Sequence, residues 1–334
     1  MTTLVAAAKA EGSVTVATSP DTSFRDQVMG GFTKQYGIKA DNLTAPVATL
    51  ANRLIQEKAA GVHSTDVYFV AAPYVSGPWA AKIYAPIKPV LIEPDINDPS
   101  KWLHGGPWYM DPQQQYLVRV TEQLGYTFSI NPAKVDASQL KTPQDLLDPK
   151  WKGKITAYDP TIGGIGIPMA DIIIKTMGPA YFKQLYLGQA PRYAEDDRTI
   201  GDWVGHGTYP IGIGLAGDEA QRLRVDGLIT NPLQMDSPAA VSMSTGQYVM
   251  GMLANAPHPN AAKLFVNWML TQQAMQLLAN ADAAAGTRTD IDYSKMPATS
   301  VPKAGATYFD TGAWSYVMGE QAKLTAQIKP LLGK

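Results

Sequence analysis

The feature that most constrains the fold is a strand, a polar loop, a helix and a second strand, all within residues 11–39. Val14 and Val16 alternate with small or polar residues, a pattern typical of a strand. Helical spacing then gives the next segment one apolar face, formed by Phe24, Val28, Phe32 and Tyr36. In a parallel crossover of this kind, the helix N-terminus offers free N–H groups at the carboxyl edge of the sheet. That edge can hold a small ligand.

Strands and helices alternate in two runs, roughly residues 13–110 and 150–235. Further predicted strands cover residues 65–70, 115–121, 125–130, 154–158, 209–213 and 247–252. Predicted helices cover residues 3–10, 49–60 (capped by Thr49), 166–176, 180–187, 199–205, 215–225, 259–269, 272–279 and about 314–328. The pattern favours an α/β protein of two lobes, whose polar loops could face each other across a cleft.

Composition excludes several classes of function. Of the 334 residues, 45% are apolar and 17% are charged, which suffices for two cores, and the net charge of −1 gives no basis for nucleic-acid binding. The absence of cysteine excludes disulfides, thiolate nucleophiles and cysteine metal sites. No run of about eighteen apolar residues could span a bilayer. No signal peptide is visible, so we expect either a cytosolic protein or an exported one whose signal was removed.

Two polar loops at strand ends are candidate ligand contacts. The first contains Thr18, Ser19, Asp21 and Thr22, whose hydroxyls and helix N–H groups would suit a carboxylate or phosphonate oxygen. Ordinary N-capping is the alternative. Ala72 and Tyr74 follow the next strand and should lie beside this loop. The second loop contains Asp159, Thr161, Gly163 and Gly164, and its glycines would let the backbone approach a ligand. A turn required only for packing is the alternative.

Residues 212–217 match the glycine pattern of a dinucleotide-binding turn. That function requires an acidic residue about twenty positions further on, at the end of another strand, and none lies there. We therefore predict no nucleotide cofactor, although the turn can offer N–H groups from Gly214 to Asp218.

Charged and aromatic residues supply further candidates. Residues 195–197 are acidic and suggest a cation site, although compensation of a helix dipole is the commoner explanation. Arg198 could clamp a carboxylate in the cleft through two hydrogen bonds. Arg119, which we expect on a hinge strand, is a second candidate, and a structural salt bridge is its alternative. The aromatic residues that could stack on an organic ligand, or simply pack, are Tyr74, Trp108, Tyr109 and Tyr248. The four histidines are scattered, which argues against a histidine metal site.

The assembled segments resemble bacterial family 1 extracellular solute-binding proteins, nearest the branch of ferric-iron and small-anion binders. The resemblance rests on EGSVTVATSP, FTKQYGIKA, ANRLIQEKAAGVHSTDVYF, WKGKITAYDP, HPNAAKLFVNWML and TQQAMQLLANA, in the order of the family. It implies two α/β lobes joined by crossing strands, a ligand in the cleft between them and hinge closure. It also implies a periplasmic location with a cleaved signal and delivery to an ABC permease at the inner membrane.

The iron ligands of that branch do not carry over. By alignment, Asp21 stands at the position of its histidine, Ala71 at its glutamate, and Gly217 and Asp218 at its tyrosine pair. Because ferric ion favours phenolate and carboxylate oxygens, their loss argues against iron.

The sequence therefore predicts a periplasmic-binding-protein-like (type II) fold that binds a small anionic organic solute, with no catalytic residue, metal or cofactor. We place residues 1–116 and about 238–285 in lobe 1, and residues 117–237 and about 286–334 in lobe 2. We expect a monomer. The alternatives are a ferric-iron or organic-cation binder, of thiamine or polyamine type, and a two-domain enzyme, for which no nucleophile–base pair is evident in the sequence.

Overall fold

The computed structural model describes residues 1–19, 21–162, 165–215, 217–230, 241–246, 248–282, 284–294, 296, 301–303, 306–319 and 321–333. The chain divides into two compact units. Unit 1 contains Met1–Gln123, Ser244–Pro302 and Gly312–Val317. Unit 2 contains Leu124–Met243, Lys303–Thr311 and Met318–Lys334. The chain has a mixed α/β architecture in two units, as the sequence predicted.

Unit 1 is built on a six-stranded sheet with the order β2-β1-β3-β12-β5-β4. Its strands are β1 (Ser13–Thr18), β2 (Lys39–Thr44), β3 (Val67–Val70), β4 (Trp108–Tyr109), β5 (Leu117–Arg119) and β12 (Val249–Met252). β1 runs parallel to β2 and β3, whereas β12 is antiparallel to both β3 and β5. The carboxyl ends of β1 and β3 therefore share one edge of the sheet with the start of β12 and the end of β5.

The helices of unit 1 are α1 (Thr2–Glu11), α2 (Gly30–Tyr36), α3 (Val47–Ala59), α4 (Ser76–Ala80), α8 (Pro259–Met269), α9 (Gln272–Asp282) and α10 (Trp314–Gly319), whose last two residues belong to unit 2. A π-helical segment, Phe24–Met29, precedes α2. The predicted apolar face is buried: Phe32 meets Phe265 and Trp268 edge to face, with ring centroids 5.2 and 5.3 Å apart. This aromatic packing fixes α2 against α8.

Unit 2 has a four-stranded sheet with the order β7-β10-β8-β9. Its strands are β7 (Phe128–Ile130), β8 (Ile155–Tyr158), β9 (Arg192–Ala194) and β10 (Ile211–Ile213). β8 is parallel to β9 and β10, so these three strands end at one edge. The helices are α5 (Gly166–Lys183, interrupted at Gly178), α6 (Asp197–Gly205), α7 (Gly217–Val225) and α11 (Gln321–Leu331).

A third sheet has the order β13-β6-β11-β14, formed by β13 (Ala285–Gly286), β6 (Thr121–Tyr126), β11 (Val241–Ser244) and β14 (Phe309–Asp310). The chain passes from unit 1 to unit 2 within β6 and returns within β11. Among the described residues, no helix combines the length and apolar character that crossing a bilayer requires.

Several sequence-based boundaries need correction. The helix predicted over residues 49–60 is α3, which begins at Val47 after Pro46. Thr49 therefore lies inside the helix and does not cap it. The predicted strand over residues 115–121 is two strands, β5 and the start of β6, and the predicted helices over 166–176 and 180–187 meet at Gly178. β9 and β11 lay outside the predicted strands.

The unit boundaries also differ from those predicted. Residues 117–123 belong to unit 1 because β5 pairs with β12 and β4 within its sheet. Residues 286–302 also belong to unit 1. There the side chain of Arg288 is fully buried, pairs with Asp95 at 2.7 Å and donates to the carbonyl oxygen of Leu270.

Candidate functional site

The carboxyl edge of β1 and β3 gathers several predicted site residues of unit 1. In the strand register Thr18 lies opposite Phe69, Val70 opposite Val249, and Val249 opposite Arg119. Trp108 lies opposite Arg119 on the next strand. The structure thus brings the first polar loop, the exit of β3 and Arg119 to the same edge of one sheet. This edge is named the unit 1 edge below.

The first polar loop is organised as a helix start. Thr18 is buried and Ser19 is half-buried. The carboxylate of Asp21 accepts the N–H of Phe24 at 2.9 Å, and the carbonyl of Asp21 accepts the N–H of Arg25. Thr22 is exposed. Asp21 therefore caps the helical segment, and its negative charge is partly compensated by backbone donors.

The exit of β3 is held by a residue that the sequence interpretation missed. Ala72 is buried, and its N–H donates to the hydroxyl of Thr245 at 3.1 Å. The hydroxyl of Thr121 donates to the carbonyl of Thr245 at 2.8 Å. Tyr74 follows and is 40% exposed, which leaves its ring accessible. The polar run Ser244–Gly246, just before a buried strand, was the sequence signal that could have identified Thr245.

Arg119 is almost completely buried at the unit 1 edge. Its guanidinium carbon lies 3.5 Å from the ring centroid of Trp108, a close cation–π stack. Gly312 leaves room for it, because a Cβ there would lie 3.0 Å from Nη2 of Arg119. We expected Arg119 on a hinge strand, but it belongs to β5 within the main sheet.

Two of the predicted aromatic contacts are largely packing residues. Tyr248 is 4% exposed and stacks on Phe24, with ring centroids 5.8 Å apart. Tyr109 is half-buried in β4, and burial, with a smaller effect of Asp111, raises its pKa to about 12. Tyr248 immediately precedes β12, and its ring packs in the core against Phe24 and Phe69.

The second predicted site lies at the shared carboxyl edge of β8, β9 and β10, named the unit 2 edge. Asp159 donates its N–H to the carbonyl of Ala194, and its carboxylate accepts from the N–H and the hydroxyl of Thr161, at 2.8 and 2.6 Å. Gly214 adopts φ +80°, and a Cβ there would lie 3.2 Å from Cβ of Tyr158. Gly163 and Gly164, and the side chain of Asp218, lie outside the described residues.

The acidic run at the unit 2 edge includes a helix cap. The carboxylate of Asp196 accepts from the N–H and the hydroxyl of Thr199, each at 2.8 Å. These bonds hold the pKa of Asp196 below its usual value. Arg198 is exposed on the first turn of the same helix. The commoner explanation of this run, compensation at a helix start, therefore accounts for Asp196.

Tyrosines near this edge do not have the character of phenolate ligands. The hydroxyl of Tyr193 donates to the carbonyl of Tyr186 at 2.6 Å. Burial, followed by the charge of Asp159, raises the pKa of Tyr193 to about 12. Burial and the neighbouring carboxylates also raise the pKa of Tyr158. Within the part of the chain that the structure describes, no group of three histidine or acidic side chains is arranged to hold a metal ion.

The sequence profile described as "Bacterial extracellular solute-binding protein" matches residues 17–276, from the end of β1 into the first half of α9. The chain belongs to this family. It is thus related to periplasmic solute-binding proteins of ABC transporters, which bind small solutes and work with membrane permeases. The resemblance inferred from the sequence is thereby confirmed.

One curated relative is the Fe(3+)-binding periplasmic protein of Serratia marcescens, 24% identical over 289 residues, which cover 83% of this chain and 79% of that protein. Among solved structures, iron-bound HitA from Pseudomonas aeruginosa aligns with a TM-score of 0.65 and 18% identity, over 95% of this chain and 99% of that one. AfuA from Actinobacillus pleuropneumoniae, with fructose-6-phosphate bound, aligns with a TM-score of 0.63 and 17% identity, over 96% and 99%. At this identity, the structural matches show a shared fold.

Proposed function

We propose that the protein binds a small anionic organic solute, of the carboxylate or phosphonate type, and presents it to an ABC permease at the inner membrane. The solute would contact both units and be enclosed by hinge closure, as the family implies. The unit 1 edge is the main observation in favour of an anionic ligand. It combines the buried cation of Arg119 with the hydroxyls of Thr18 and Ser19.

The unit 2 edge supports the same proposal through its hydrogen bonds. The carboxylates of Asp159 and Asp196 already accept from hydroxyl and N–H groups of their own loops. A cation would have to compete with those bonds. Arg198, exposed beside them, offers a guanidinium that can clamp a carboxylate or phosphonate through two hydrogen bonds.

A ferric-iron or organic-cation ligand is the second candidate, favoured by the three consecutive acidic residues 195–197 and by the ferric-binding relatives. Of these two cations, ferric iron has less support. Tyr193 donates its hydroxyl to a backbone carbonyl and has a raised pKa, and Ala71, Gly217 and Asp218 replace the iron ligands of the related branch. An organic cation, of thiamine or polyamine type, would need the free carboxylate of Glu195.

The experiment is a thermal-shift panel of carboxylates, phosphonates, organic phosphates, polyamines, thiamine and ferric citrate. A ligand at about one hundred times its Kd stabilises the folded protein by about 2.7 kcal/mol. That corresponds to an increase in melting temperature of about 5–10 °C for a unit of this size. We expect such a shift with an anion. A shift only with a cation would select the second candidate, and no shift with any anion would reject the proposal.

A matched pair of arginine variants tests whether Arg198 contacts the bound anion. Arg198 follows the carboxyl end of β9, whereas Arg192 begins the same strand at the opposite end, and both are exposed. We expect Arg198→Ala to weaken binding of the stabilising anion about tenfold, the equivalent of about 1.4 kcal/mol. Arg192→Ala should leave the affinity unchanged. Equal effects of the two substitutions would show that long-range charge, and not a contact, determines the affinity.

A further inference from the structure

A serine, a histidine and an aspartate form a connected chain of hydrogen bonds at the opposite edge of the unit 1 sheet. Ser13 Oγ lies 3.2 Å from Nε2 of His258, and Nδ1 of His258 lies 2.9 Å from Oδ2 of Asp66. Ser13 begins β1 and Thr18 ends it, so about 16 Å of strand separate this cluster from the unit 1 edge. The proposed solute site therefore does not account for it.

Asp66 holds the imidazole in one orientation. Its side chain is fully buried and accepts the backbone N–H of His258 at 2.7 Å and the N–H of Thr15 at 2.7 Å, in addition to Nδ1 of the imidazole. A carboxylate that accepts from Nδ1 assigns the proton to that nitrogen, which leaves Nε2 as an acceptor. The hydroxyl of Ser13 then donates to Nε2. This is the arrangement in which a neighbouring base activates a serine nucleophile.

The cluster is accessible to a reagent. The side chain of His258 is 29% exposed, and Ser13 is half-buried. The N–H groups of Asn260 and Ala261, at the start of α8, already donate to the carboxylate of Glu11 at 2.9 and 2.8 Å. They are therefore not available to stabilise an oxyanion, so the geometry supports a single acyl transfer and not rapid turnover.

We propose that Ser13 is an activated nucleophile that accepts one acyl group from an activated ester, with His258 as its base and Asp66 as a positioning residue. The Oγ–H proton moves to Nε2 while the bond from Oγ to the acyl carbon forms. The bond from the acyl carbon to the leaving oxygen then breaks, and the proton on Nε2 passes to the departing alkoxide or aryl oxide. The modified serine carries an ester, and no oxidant or reductant is required.

This nucleophile–base pair is not evident from the sequence, because Ser13 and His258 are 245 residues apart. The pair exists only because β1, the start of β3 and the N-terminus of α8 meet around Asp66. A purely structural role, in which Asp66 ties these elements together, predicts the same hydrogen bonds but no reactivity at Ser13.

The first test treats the protein with p-nitrophenyl acetate and locates acetyl groups by mass spectrometry of its peptides. We expect one acetyl group on Ser13 and none on Ser13→Ala. His258→Gln should slow the reaction about 100-fold or more, since a general base contributes about 10²–10⁴-fold. No adduct at Ser13, or an adduct whose rate does not depend on His258, would overturn the proposal. Circular dichroism of each variant establishes that it is folded.

The second test exploits the absence of cysteine from the chain. Ser13→Cys introduces a single thiol beside the imidazole, and Ser64→Cys introduces one at a half-buried serine whose hydroxyl donates to Glu57. With iodoacetamide at about pH 7, the first thiol should react about tenfold faster, because an adjacent imidazolium favours the thiolate. When Asp66→Asn is combined with Ser13→Cys, the pH profile of alkylation should move towards that of a free thiol. Equal rates at the two sites would overturn the proposal even if His258→Gln failed to fold.

Discussion

Alanine at Gly166 would force apart the helix start of α5 and the loop that precedes it. A Cβ on Gly166 would lie 1.9 Å from the carbonyl oxygen of Asp159 and 2.8 Å from its carbonyl carbon. Both contacts are with backbone atoms, so rotation of a side chain cannot relieve them. In a close-packed interior the two segments must separate by about 1 Å or more.

The cost can be weighed against the gain in helix propensity. Overpacking of this kind costs about 1–3 kcal/mol, whereas replacing glycine by alanine in a helix returns at most about 1 kcal/mol. Because the clash is with backbone atoms that cannot rotate away, its cost lies in the upper part of that range, about 2–3 kcal/mol, and we expect a net loss of about 1–2 kcal/mol. For a unit of this size, that loss lowers the melting temperature by about 2–8 °C.

Thermal unfolding monitored by circular dichroism measures this loss. The control is Gly188→Ala in the same unit, because a Cβ at Gly188 would have no heavy atom within 4 Å. It should change stability by less than about 0.5 kcal/mol. Because Asp159 begins the second polar loop, Gly166→Ala should also weaken binding of the stabilising anion. A melting temperature of Gly166→Ala equal to or above that of the unmodified protein would refute the reasoning.

Three further outcomes are expected. Thr245→Val should lower the free energy of unfolding, measured by urea denaturation, by about 1–3 kcal/mol, because it leaves the buried N–H of Ala72 without an acceptor. Thr245→Ser, which keeps the hydroxyl, should retain most of that stability. Asp196→Ala should cost about 1 kcal/mol at neutral pH through loss of the cap on α6. Since the pKa of Asp196 is lowered in the folded state, this difference should be complete above its unfolded value of about 3.9 and narrow as the pH falls below it. Dialysis against EDTA should leave the melting temperature unchanged, and a fall of several degrees would point to a bound metal.

Local sequence signals predicted the elements whose character is decided by nearby residues. The alternation around Val14 and Val16 predicted β1, and the apolar spacing from Phe24 to Phe32 predicted a buried helical face. Both sets of side chains lie in the core. The capping alternative for Asp21 was also visible locally, since Asp is a favoured N-cap residue.

Features that depend on packing between distant segments were not predictable in this way. Tyr248 was expected to face a ligand, but β12 inserts between β3 and β5 and buries it against Phe24. Thr245 matters because it meets Ala72, a residue 173 positions away. Arg119 was assigned to a hinge because no local signal reveals that β5 joins the main sheet beside β12.

Hydrogen–deuterium exchange, with and without the anion that gives the largest thermal shift, tests the central proposal most directly. If one solute engages both sheet edges, protection should increase in residues 18–25 and 70–75 of unit 1 and in residues 158–162 and 194–199 of unit 2. Protection confined to one unit, or centred on the opposite edge of the unit 1 sheet around Asp66 and His258, would contradict it.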